Sequence, residues 1–213
     1  MFWKLLCSIG NKFYVRYGKR TIDLFFSVLA LLFLFPIFLL ISILIKLEDG
    51  GSIFYVQERV GKDWKIFKIC KFRTMIEGAD KLGPKITKGG DPRITKIGKF
   101  LRKYKLDELP QLLNVFKGDM SLVGPRPEVL RYASIYKEDY GEILKVKPGM
   151  TDIASIRFVN EEELLAGVER VEDFYLNKVL PKKIKYYKFY TRKVNFCLDI
   201  YIILNTIMSI LRI

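Results

Sequence analysis

The sequence predicts an α+β, mainly helical fold: an N-terminal membrane helix followed by a compact domain with short strands. Three observations predict it. Leu24–Ile45 runs 22 residues without a charge. Behind it, apolar residues recur mostly at helical spacing, and only Ile53–Gln57 and Trp64–Phe72 read as strands. Lys and Arg total 37 against 23 Asp and Glu in 213 residues, a formal charge of +14. Three segments follow: a basic N-terminus and membrane helix (1–46), one compact unit (47–193) and an apolar C-terminal helix (194–213) suited to the membrane interface.

The apolar segment comes first. As a straight helix it would be about 33 Å long, enough to cross a hydrocarbon core of about 30 Å. Pro36 lies near its middle, where it removes a helix hydrogen bond and crowds the carbonyl of Leu32. Broken there, each arm reaches only about half the core. Basic residues flank both ends: Lys4, Lys12, Arg16, Lys19 and Arg20 before it, and a Lys/Arg-rich chain after it. The positive-inside rule then favours both ends on the cytoplasmic side. A re-entrant helix broken at Pro36 satisfies the charges, and a straight span satisfies the length. A signal peptide is not expected, because the basic region is long and no small-x-small cleavage site follows.

In the domain, Trp64–Phe72 alternates apolar and basic residues, with Lys65, Lys68 and Lys71 on its wet side. Gly78–Pro92 reads as a loop. Ile94, Ile97 and Leu101 have helical spacing, as do Leu109, Leu112, Leu113 and Phe116, and Gly118 stops the second helix. The prolines of Gly124-Pro125-Arg126-Pro127 keep that stretch irregular or extended. Glu128–Leu144 returns to a helical pattern, Pro148-Gly149 turns the chain, and Glu161–Ala166 and Pro181–Lys193 read as two further helices.

Composition narrows the chemistry. The positive charge favours anionic partners. Histidine is absent, so proton transfer and metal binding rest on carboxylates, Lys, Tyr or Cys. Cys7, Cys70 and Cys197 are odd in number and far apart, which predicts reduced thiols and no zinc site.

Four clusters could carry chemistry. In Leu101–Gln111 (LRKYKLDELPQ), Asp107 and Glu108 sit among Arg102, Lys103 and Lys105. Nearby cations would hold them ionised, as a nucleophile toward phosphorus or as magnesium ligands. Taken alone, the pattern favours the simpler reading, in which Asp107 is the N-cap of the helix that Pro110 opens; the two roles are compatible. Second, Pro125 and Pro127 clamp Arg126, whose guanidinium could fork onto a phosphate; it could also be a stiff connector. Third, Lys68, Lys71 and Arg73 form a cationic row that is either an anion stripe or a solvated face. Fourth, in Val146–Thr151 (VKPGMT), Lys147, Gly149 and Thr151 could approach a phosphate, or simply turn the chain.

The segments KFRTM (Lys71–Met75), Asp91–Glu128 and VKPGMT together resemble the bacterial sugar transferases, the monotopic phosphoglycosyl transferases, in their minimal catalytic form. The resemblance runs from about Lys19 to the C-terminus, and its central segment is highly specific. It implies transfer of sugar-1-phosphate from a UDP-sugar to polyprenol (undecaprenyl) phosphate with Mg2+, releasing UMP, as the initiating membrane step of glycan synthesis. It implies Asp107 as nucleophile, forming a phosphosugar intermediate in ping-pong fashion, with Glu108 as its partner and both near the metal. Lys71, Arg102 and Arg126 match phosphate- or nucleotide-contacting positions, and Pro36 matches the break of a re-entrant helix. It further implies the bacterial inner membrane, with the domain on the cytoplasmic face among membrane lipids, and no nucleic-acid partner. A homodimer is compatible with the sequence. Two departures stand out: Phe35 replaces the serine common before the proline, and Thr151–Phe158 (TDIASIRF) differs near the sugar end, leaving the sugar open. The competing reading is a membrane-anchored basic module that binds lipid or nucleic acid without catalysis.

Overall fold

The computed structural model describes residues 13–79, 82 and 86–211. Cys7, Lys4, Lys12 and part of the expected 78–92 loop lie outside these residues. The chain is mainly helical with two small sheets. A π-helical turn, Tyr14–Gly18, leads into α1 (Lys19–Asp49). β1 (Phe54–Val60) pairs antiparallel with β2 (Ile66–Phe72). Next come α2 (Lys96–Lys103) and α3 (Gln111–Lys117), separated by a 3-10 turn at Leu106–Glu108. β3 (Ser121–Val123) pairs in parallel with β4 (Gly149–Thr151) across α4 (Leu130–Ile135) and α5 (Lys137–Ile143). The chain ends with α6 (Ile153–Arg157), α7 (Glu161–Ala166), α8 (Val171–Phe174), α9 (Leu180–Lys193) and α10 (Phe196–Leu211).

Pro36 does not end α1, which is helical on both sides of it and through it. The expected break is therefore not a helix end. Among the described residues α1 is the one helix long and apolar enough to cross a membrane. Its middle is bare: Leu32, Phe33, Phe35, Leu39 and Leu40 are exposed. Its two ends, however, are bolted to the same domain. At the start, Arg20 donates to the carbonyls of Val115 (2.6 Å) and Phe116 (2.8 Å), where a cation complements the C-terminal dipole of α3. Asp23, buried, accepts from Leu122 N at 3.0 Å. At the far end, Glu48 accepts from Lys96 N (2.7 Å) and Ile97 N (3.2 Å) at the start of α2. Asp49 takes two bonds from Arg73, at 2.5 and 2.6 Å. Ile41 and Ile45 pack with Phe72 and Leu101.

Other joints are equally local in cause. Thr95 caps α2, its hydroxyl accepting from Gly98 N at 2.9 Å. Gly118 closes α3 in the left-handed conformation (φ 94). Asn114 bridges α3 to the edge of β2, accepting from Cys70 N (3.0 Å) and donating to Lys68 O (2.8 Å). The largest core gathers Val60, Tyr132, Tyr140, Leu165, Leu180 and Tyr187.

One helical expectation is refined here and one expectation needs correcting. Glu128–Leu144 is two helices, because Tyr136 leaves helical geometry (φ −108, ψ 44) and its hydroxyl bonds Leu176 O at 2.8 Å. Of the cysteines, Cys70 is a free thiol but Cys197 is disulfide-bonded, so not all are reduced.

Candidate active site

The 3-10 turn between α2 and α3 presents the carboxylate pair. Asp107 is not a helix N-cap: Pro110 holds that position for α3, without a side-chain capping bond. Asp107 is buried, and among the described residues its carboxylate accepts no hydrogen bond. Glu108 is the opposite case. It takes Lys71 Nζ at 2.8 Å and a forked pair from Arg126, one arm of which is 3.1 Å.

This partition corrects the expected electrostatics. The cations beside the pair were expected to keep Asp107 ionised, but the two nearest pair with Glu108 instead. Burial pushes Glu108 up, yet the attraction of Arg126 and Lys71 outweighs it and holds the carboxyl well below the usual range. For Asp107, burial and then the charge of Glu108 push the pKa up to about 6, against the weaker pull of Lys71, Arg102 and Lys105. The site thus holds one firmly ionised, fully partnered carboxylate beside one that titrates just below neutrality.

Both carboxylates line a cavity of about 1230 Å³. Lys71, Arg73, Arg102, Arg126, Pro127 and Thr151 share its wall. Of these, only Lys71 and Arg126 bond the pair. Arg73 is buried and committed to Asp49 and to the carbonyls of Ser52 and Met75 (3.1 Å), so it staples β2 to the end of α1. Lys68 is exposed and off this wall, so the expected cationic row does not form one stripe. Arg102 forks onto Glu162 at 3.0 and 2.6 Å. Pro125 is buried behind Arg126.

The VKPGMT stretch divides. Thr151 Oγ1 bonds Thr206 Oγ1 of α10 at 2.6 Å and faces the cavity. Lys147 is not in the wall; its carbonyl lies beside Gly124, and burial, then the neighbouring charge of Arg20, hold its ammonium below the usual pKa. Gly149 is required for packing. A Cβ there would fall inside the van der Waals shell of Gly124, just past the end of β3. Its N–H is taken by Pro125 O at 2.9 Å, so that amide is not offered to a phosphate.

Sequence reasoning missed part of the wall. Glu128 is buried, accepts from Arg59 (3.1 Å), Tyr175 OH (2.7 Å) and Val129 N (3.0 Å), and joins three distant segments in the cavity. No local pattern marks Arg59 or Tyr175. Asp199 was more legible, as a lone acid in an apolar helix. It is buried and takes bonds from Tyr14 (2.5 Å), Lys19 (2.5 Å) and Tyr190 (2.7 Å), pinning α10 to the start of α1. That placement lets α1 (Ile22, Phe26) and α10 (Ile200, Ile203, Ile207) supply apolar wall to the same cavity.

A buried Asp107 beside a half-buried Glu108, set among fixed cations in a cavity with apolar helical walls, has the makings of a site for transfer of a phosphorylated group. Residues 14–213 match the bacterial sugar transferase family, and the chain belongs to it. It is 41% identical over 159 residues to the exopolysaccharide production protein ExoY of Sinorhizobium fredii, covering 68% of this chain and 70% of that one. It is 35% identical over 198 residues to the UDP-N-acetylgalactosamine-undecaprenyl-phosphate N-acetylgalactosaminephosphotransferase of Aeromonas hydrophila, covering 91% of this chain and 43% of that one. It is 39% identical over 169 residues to the UDP-glucose:undecaprenyl-phosphate glucose-1-phosphate transferase of Escherichia coli, covering 77% and 36%. The chain therefore spans less than half of the last two relatives.

Proposed function

We propose that this protein is a phosphoglycosyl transferase that moves sugar-1-phosphate from a UDP-sugar to undecaprenyl phosphate, opening a glycan assembly at the cytoplasmic face of the bacterial inner membrane. The observation that carries the reading is the unequal pair: an unbonded, buried Asp107 beside a Glu108 saturated by Lys71 and Arg126. With a pKa of about 6, Asp107 is an anion in most molecules near pH 7 and needs no general base. Poorly solvated and unbonded, it is a capable nucleophile.

The chemistry balances without histidine. An Asp107 carboxylate oxygen attacks the β-phosphorus of the donor. The bond from that phosphorus to the oxygen bridging to the α-phosphate breaks, and UMP leaves with the bonding pair. An oxygen of the lipid phosphate then attacks the phosphosugar-Asp107 intermediate and restores the carboxylate. Lys71 and Arg126 hold Glu108 rigid and keep positive charge within reach of the diphosphate.

Of the pair, Asp107 is the member that fits Mg2+. This ion takes one or two protein carboxylates and completes its shell with substrate phosphate and water. Asp107 has unclaimed lone pairs for that, with Glu108 adjacent; bound there, the metal would neutralise charge on the diphosphate. The apolar wall from α1 and α10 suits an isoprenoid acceptor.

The anchoring of α1 supports the re-entrant topology. A straight helix of its 31 residues would be about 46 Å long. A membrane crossing would carry one end away from the domain, whereas Arg20 and Asp49 both bond to it.

The test is product analysis. Purified protein with Mg2+, undecaprenyl phosphate and a panel of UDP-sugars is expected to release UMP with at least one of them, and the Asp107→Asn variant none. Release of UDP would instead mean that sugar moves without its phosphate, and the proposal would fall.

A further inference from the structure

Lys105 stands two residues before Asp107 and contributes to the same cavity wall. Among the described residues, every other cationic side chain in that wall, from Arg59 and Lys71 round to Arg131 and Lys183, has a carboxylate partner. Among the same residues Lys105 has none within ion-pair distance, and its charge acts on Asp107 only from further off. The charges around the dyad make this matter. Asp107 and Glu108 bring two negative charges, and Lys71 and Arg126 offset them. These four groups sum to no net charge, so an entering diphosphate gains from them only locally, beside Lys71 and Arg126. Lys105 is the cation left over.

Its backbone points the same way. Lys105 is left-handed (φ 57, ψ 22), one of only three non-glycine residues with positive φ among the described residues. Glycine or asparagine would hold that geometry more easily. An uncommon left-handed lysine beside the dyad, without an ion pair, points to a role other than packing.

On the transferase reading above, we propose that Lys105 is a substrate-binding residue, its ammonium engaging a non-bridging oxygen of the donor phosphate that Asp107 attacks. The competing explanation is structural: Lys105 follows the end of α2, where a cation complements the helix dipole.

Three variants of the full chain in lipid nanodiscs separate the two. Lys105→Met removes the charge. Lys105→Gly removes it and also relaxes the backbone. Lys105→Arg keeps it. UMP release gives kcat/KM for the UDP-sugar, and calorimetry gives the affinities for UDP and for UMP. Losing one charge-assisted hydrogen bond is expected to lower kcat/KM roughly ten- to a hundredfold in the Met and Gly variants, with Arg restoring most of it. UDP, which has the β-phosphate, is expected to bind them more weakly by a similar factor, and UMP to bind unchanged. The Gly variant is expected to unfold no lower than the unsubstituted protein. Unchanged UDP affinity in Lys105→Met or Lys105→Gly would overturn the inference. So would a loss of UDP and UMP affinity together with a lower unfolding temperature and no recovery in Lys105→Arg. Failure of the unsubstituted protein to release UMP from any UDP-sugar would refute the transferase reading instead, while the UDP and UMP affinities would still decide the role of Lys105.

Discussion

Asp107→Asn is expected to make the protein inactive and more stable at once. Asn keeps the shape of the side chain but stays neutral, so it imitates the protonated acid. The folded-state pKa of Asp107 is about 6 against an ordinary value of 3.8, a rise of about 2 units, or roughly 3 kcal/mol. The sign follows from the direction. Above about pH 6 the folded protein holds a buried carboxylate that the unfolded chain would solvate better, and this destabilises the fold. Below about pH 4 both states carry the neutral acid and the penalty is gone. The variant should therefore gain its full advantage at pH 8, less near pH 6 and almost nothing at pH 4. For a chain of this size each kcal/mol shifts Tm by about 2–4 °C, so the gain at pH 8 should reach several degrees. The assay is thermal unfolding in nanodiscs with divalent cations chelated, at those three pH values, beside UMP release with Mg2+. Equal Tm values at pH 8, or a gain that ignores pH, would refute the electrostatic reasoning. Retained UMP release would refute the assignment of the nucleophile.

The same titration predicts an acid limb in the rate: with a pKa of about 6, turnover at pH 5 should be about a tenth of its plateau, and a flat profile down to pH 5 would count against an ionised Asp107. Arg73→Ala should lower stability by about 2–3 kcal/mol, read as a fall in Tm, because it unfastens the end of α1 from β2 and leaves Asp49 without its partner. Gly149→Ala should prevent accumulation of folded protein, read by size exclusion in detergent, since a Cβ there collides with the Gly124 backbone. Single cysteines at Tyr17 and Lys62 should both resist an impermeant maleimide in intact cells and both react after permeabilisation; labelling of one alone from outside would establish a crossing helix.

Much of this arrangement was legible in the sequence because its causes are local. Gly118 ends α3 and the two prolines hold Arg126 in an extended loop, since each acts through its own backbone. The dyad stood out through the surrounding segment; by local physics Asp107 looked more like a helix cap than a nucleophile. What stayed hidden depends on partners far along the chain. Sequence proximity suggested that Arg102, Lys103 and Lys105 would surround Asp107, but Lys71 and Arg126 reach Glu108 from 37 and 18 residues away. The Pro148-Gly149 turn is in fact the approach to a strand whose partner is 28 residues earlier in register, at Ser121. The division at Tyr136 keeps the apolar phase on both sides, so periodicity could not reveal it. Arg73 looked like its neighbour Lys71 and serves a different purpose, because only the fold brings Asp49 to it.

The central claim is that Asp107 carries the phosphosugar. Incubating the protein with Mg2+ and a UDP-sugar that supports UMP release, without acceptor, then acid-quenching and mapping peptides by mass spectrometry tests it most directly. The account predicts a sugar-phosphate mass added to the peptide containing Asp107, removed by undecaprenyl phosphate and absent in Asp107→Asn. An unmodified Asp107 peptide under conditions of full turnover, or the same mass on another residue, would contradict it.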